Sequence, residues 1–140
     1  MTDRIAQQNA LISIMVLAGI ADSDIDDDEL AKMTRIVQSL PVFQDYDLDE
    51  LRRVAQEVAI LLQDEDGIEK ALAQVHETLP ERLFETAYAL AVDIVAADAV
   101  ATQEELRLLE MLRHELGVGR LEAAAIERGA RARHTLIEAR

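Results

Sequence analysis

A chain of 140 residues amounts to one domain, long enough to bury about two-thirds of the surface its unfolded form exposes, so it needs no covalent staple. Cysteine is absent, which removes disulfides and thiolate metal sites and fits a reducing, cytoplasmic setting. Twenty-eight acidic residues against 14 basic give a formal charge of −14; this disfavours nucleic acid and anionic membrane and leaves cations and basic surfaces, such as those of a protein partner, as candidates.

Residues 3–21 read as a first helix that is apolar nearly all round, through Leu11, Ile12, Ile14, Met15, Val16, Leu17 and Ile20, and so belongs at the centre of a bundle. The run 10–21 has the length of a signal-peptide core, with Gly19-x-Ala21 in the form of a cleavage site. Only Arg4 supplies side-chain charge ahead of it, offset by Asp3, and a matching run recurs later, so the segment is expected to belong to the fold. It is too short to span a bilayer. After an acidic turn a second helix is expected over 27–39, stopping before Pro41, with Leu30, Met33, Ile36, Val37 and Leu40 inward. Residues 42–46 connect to a third helix, capped by Asp47 with Glu50 as its box partner and buried through Leu48, Leu51, Val54, Val58, Leu61 and Leu62, to residue 63.

Another acidic turn, 64–67, leads into a fourth helix opened by an Asp66 to Glu69 capping box, with Ile68, Ala71, Leu72 and Val75 inward. The spacing of Thr78 and Glu81, with Pro80 in the first turn, predicts a fifth helix reaching Ala97. It is again apolar on most sides, and Asp93 in its midst is expected to pair with an arginine or to lie at an exposed edge. A sixth helix over 103–116 should end at Gly117 as a left-handed cap. The last helix, from 120 to about 139, carries a thin stripe of Leu121, Ala125, Ala132 and Leu136. It is also where the charge changes sign: five Arg against three Glu from residue 119 on, after nine basic and 25 acidic residues before it. Packing against the acidic body is the expected use of that basic helix, with fraying at its end.

The acidic turn occurs twice, as 21–30 and 97–106, offset by 76 residues, each time between an apolar helix and an amphipathic one. Glu29 stands four, seven and eleven residues before Met33, Ile36 and Leu40; Glu105 stands at the same distances before Leu109, Leu112 and Leu116. Asp22 follows Ala18, Met15 and Leu11 at that spacing, and Asp98 follows Ile94, Ala91 and Ala87. Four carboxylates therefore lie on lines that face a core, where each needs donors, a counter-charge or a cation. Two partners are open. Asp26 to Glu29 and Thr102 to Glu105 both have the form of capping boxes, which leaves Asp22 and Asp98 unexplained. Alternatively Asp22, Glu29, Asp98 and Glu105 converge on a shared divalent cation as hard oxygen ligands, with Asp24 and Asp26 as further candidates. An EF-hand is excluded, because its sixth position would be Asp27 instead of Gly and its twelfth Met33 instead of Glu.

The pattern Ala-Asp-small-x-aliphatic-x-x-x-Glu, present as Ala21 to Glu29 and again as Ala97 to Glu105, resembles the TerB-like tellurite-resistance family over roughly residues 5–118. That resemblance implies a compact all-helical domain with the motif near its two ends, and acidic residues linked with metal binding. The motif Asp falls on Asp22 and Asp98, and the closing Glu on Glu29 and Glu105. The family's usual Gly is Ser23 in one copy and Ala99 in the other, so the turn is shaped without the conformational freedom of Gly.

His76, His114 and His134 stand apart from one another, no phosphate loop or nucleophile elbow is present, and the Glu-x-x-His pairs of di-iron bundles are missing. The sequence therefore predicts an all-α fold, a compact bundle of about seven helices with an internal pseudo-twofold helix-turn-helix repeat. The expected role is non-catalytic and, as the resemblance to the TerB-like family implies, stress- and tellurite-resistance-associated, with calcium, magnesium, manganese or zinc as candidate cations at Asp22, Asp24, Asp26, Glu29, Asp98 and Glu105. The alternative is a metal-free protein-protein interaction module with an acidic surface and a basic last helix.

Overall fold

The structure, a computed structural model, describes residues 4–19, 26–97 and 101–138. Seven α-helices account for most of them: α1 Arg4–Gly19, α2 Asp27–Ser39, α3 Leu48–Leu61, α4 Gly67–Thr78, α5 Phe84–Ala96, α6 Gln103–Leu116 and α7 Arg120–Arg133. Short 3-10 turns at Pro41–Phe43 and Glu81–Leu83 precede α3 and α5. No strand occurs among the described residues, and no helix is long and apolar enough to cross a membrane.

The two helices that are apolar on most sides form the centre. α1 packs along α5 and also carries α3 and α4; α5 packs against α6 and, on its far side, α7. Leu11, Ile12, Met15 and Val16 of α1 are fully buried, as are Ala87 and Ala91 of α5. Each large aliphatic side chain removed from water in this way contributes about 1.5–3 kcal/mol. Small residues on α5 let α1 approach closely, which explains why an alanine-rich helix lies at the core. α1 is also fixed at its start: the Gln8 side chain, itself buried, donates to the carbonyls of Val42 and Gln44, so the connector after α2 is tied to the central helix.

Several helix ends differ from the sequence expectation for identifiable reasons. Thr78 does not open α5. It closes α4, its hydroxyl donating to the Gln74 carbonyl at 2.7 Å, and Pro80 starts a 3-10 turn that delays α5 to Phe84. Asp66 makes no side-chain cap to α4; it pairs instead with Lys70 at 3.2 Å, one turn on. Asp47 does cap α3, through the Asp49 amide at 2.9 Å, but Glu50 turns outward to grip Arg53 at 2.8 and 2.9 Å.

The largest correction concerns α7. The expected stripe of Leu121, Ala125, Ala132 and Leu136 is exposed, Leu121 at 78 %. The face against α5 is Ala123, Ile126 and Ala130, and the helix ends at Arg133. Polar contacts set that phase. Tyr88 donates to Glu127 at 2.7 Å, and Arg133 pairs with Asp93, the first of the two expectations for that mid-helix carboxylate.

Candidate metal centre

The lines that lead to both acidic turns are buried as their spacing required. Leu11, Met15 and Ala18 in α1, and Ala87, Ala91 and Ile94 in α5, are all at most 3 % exposed. Asp22, Asp24 and Asp98 lie outside the described residues. The ends of α1 and α5 that feed the turns lie side by side: a Cβ added at Gly19 would sit 3.7 Å from the Ile94 Cγ2 atom.

Beyond the first turn, Asp26 caps α2. Its exposed carboxylate accepts from the Glu29 amide at 2.8 Å. The Glu29 side chain is partly buried and lies over the end of α1, where a Cβ on Gly19 would be 3.0 Å from Glu29 Oε2 and 2.7 Å from Met33 Cε. Gly19 thus makes room for the first carboxylate and for the first buried residue behind it. This role was not legible in the sequence, since the residues that approach Gly19 come ten and fourteen positions later; a lone Gly inside an apolar helical run was the available signal.

Beyond the second turn, Thr102 and Glu105 form the reciprocal capping box. The Thr102 amide donates to Glu105 Oε1 at 2.7 Å, and the Glu105 amide to Thr102 Oγ1 at 3.1 Å. Glu105 is 6 % exposed, with Leu109, Leu112 and Leu116 buried in line behind it. The capping alternative is therefore realised at Asp26 and at Glu105. Among the described residues no three His, Cys, Asp or Glu side chains gather into a group that could hold a metal ion. The three histidines stay apart. His114 is exposed, His76 rests its ring against Phe84 with centroids 5.3 Å apart, and His134 lies 3.5 Å from Asp93.

What the described donors can do chemically is limited to oxygen ligation. A carboxylate offers about four lone-pair sites, and the Thr102 amide takes one of them on Glu105 Oε1. Residues 8–128 match the family model described as tellurite resistance protein TerB. No curated protein and no solved structure matches the chain.

Proposed function

The chain belongs to the TerB family of tellurite resistance proteins, and on that premise we propose that it is a non-catalytic domain holding a hard divalent cation at its two acidic turns. The observation that carries this reading is Glu105, which alone among the charged residues described is buried. Burying a carboxylate costs several kcal/mol unless donors or a cation compensate, and the Thr102 amide, which donates to Oε1, supplies part of that compensation. Glu29 heads the equivalent line in the other copy and reaches over the end of α1. With Asp22, Asp24, Asp26 and Asp98, these are oxygen donors without exception, a set that suits calcium, magnesium or manganese better than zinc, which favours nitrogen and sulfur.

The test uses Glu105→Gln, which keeps an oxygen to accept the Thr102 amide and removes the charge. Calorimetric titration with calcium, magnesium, manganese and zinc should give heat for the native chain, and melting should rise with the bound ion by the equivalent of about 2.7 kcal/mol at a hundredfold excess over Kd. The variant should melt like the native chain in EDTA and lose both responses. Absence of heat with all four ions, with melting unmoved, leaves the carboxylates as caps and the domain as a metal-free interaction module.

A further inference from the structure

We propose that the C-terminal tail of one copy of this chain docks into a pocket of a second copy, two chains exchanging tails reciprocally. The pocket, of about 260 Å³, lies between α1, α6, the end of α3 and the first turn of α4. Its floor is aliphatic, from Leu17, Leu62, Ile68, Leu108 and Met111, and its mouth carries Glu69, Glu104 and Arg107. Those three make no ion pair among the described residues, whereas Arg53 and Lys70 elsewhere on the surface are paired. The two carboxylates stand in the first turns of α4 and α6, where the helix dipole favours them. Arg107 has no such support.

The tail carries the complementary pattern. Beyond α7 the chain leaves the helix with Leu136 at 53 % and Ile137 at 101 % exposure, two large aliphatic side chains held in water. Arg131 and His134 precede them and Glu138 follows. Basic, aliphatic and acidic groups in that order match the Glu69 and Glu104 carboxylates, the aliphatic floor, and Arg107, so that Arg131 faces the two carboxylates and Glu138 faces Arg107, while His134 stays against Asp93. The tail's own surroundings hold its root elsewhere: Arg133 pairs with Asp93 on α5, in a cleft shared with Ile36 of α2 and Leu40 just beyond it. Reciprocal exchange closes on itself with two-fold symmetry and uses both tails and both pockets. The charge of −14 on each copy opposes it, but beyond about 8 Å that repulsion is screened at 0.15 M salt.

Sedimentation equilibrium at 0.15 M salt, from micromolar to millimolar chain, reads the outcome. The mass should rise from one chain to two. Ile137→Asp and Arg107→Glu, both at the surface, should each weaken association by about tenfold or more. An equimolar mixture of the two variants should pair more tightly than either alone, because one carries an intact pocket and the other an intact tail. A mass of one chain throughout, including tail docking within the same copy, overturns the proposal. So does dimerisation indifferent to both substitutions, which would assign it to another face, and so does a mixture no tighter than its components.

Discussion

Tyr46 and Tyr88 are the two tyrosines of the chain, and each hydroxyl bridges distant segments, Tyr46 to Asn9 Oδ1 and Tyr88 to Glu127 Oε2, both at 2.7 Å. Burial is the main force holding both phenols well above the usual value near 10, helped at Tyr46 by the charge of Glu50 and at Tyr88 by the hydrogen bond to Glu127. Since the folded value is the higher one, the unfolded chain loses these protons first as pH rises. Their contribution is complete below about pH 10 and is lost above it. The urea midpoint should therefore fall as the pH rises above about 10, and the Tyr46→Phe, Tyr88→Phe double variant should flatten that fall. At neutral pH, Tyr88→Phe should cost about 1 kcal/mol, the usual worth of one such hydrogen bond.

At the scale of elements, legibility followed the strength of local signals. α2 and α6 lie where the sequence put them, because each joins a capping residue, a strong apolar stripe and a clear stop: Pro41 after one, Gly117 at φ 64° after the other. Glu105 could be found for the same reason, as the head of a leucine line. α7 lacks such contrast. Five alanines, at 123, 124, 125, 130 and 132, leave two apolar stripes in competition, and alanine marks burial weakly. The choice is made by Tyr88 and Asp93, which lie about forty residues away in the chain and are invisible to local spacing. The phase can be checked by substitution. Ala130→Leu inserts bulk where there is no space and should cost about 1–3 kcal/mol in urea unfolding. Leu121→Ala on the outer face should change stability by less than about 0.5 kcal/mol. The reverse order would mean that α7 is rotated on α5.

For the molecule as a whole, the excess of 14 negative charges is spread over a small surface and repels itself, which lowers the stability of the compact state. Sodium chloride between about 0.01 and 0.5 M should raise the melting temperature by a few degrees as screening shortens from roughly 30 Å. A divalent ion acting only by screening would track ionic strength, and Glu105→Gln would leave that part of its effect intact. The central position of α1 also bears on synthesis. Its main partner, α5, begins 65 residues after α1 ends (84 − 19), so at 5–20 residues per second the face of α1 that α5 covers waits about 3–13 s on the ribosome, longer than the faces covered by α3 and α4. Over that interval α1 offers a binding stretch for a chaperone, and slowing elongation between residues 20 and 84 should lower soluble yield more than slowing it afterwards.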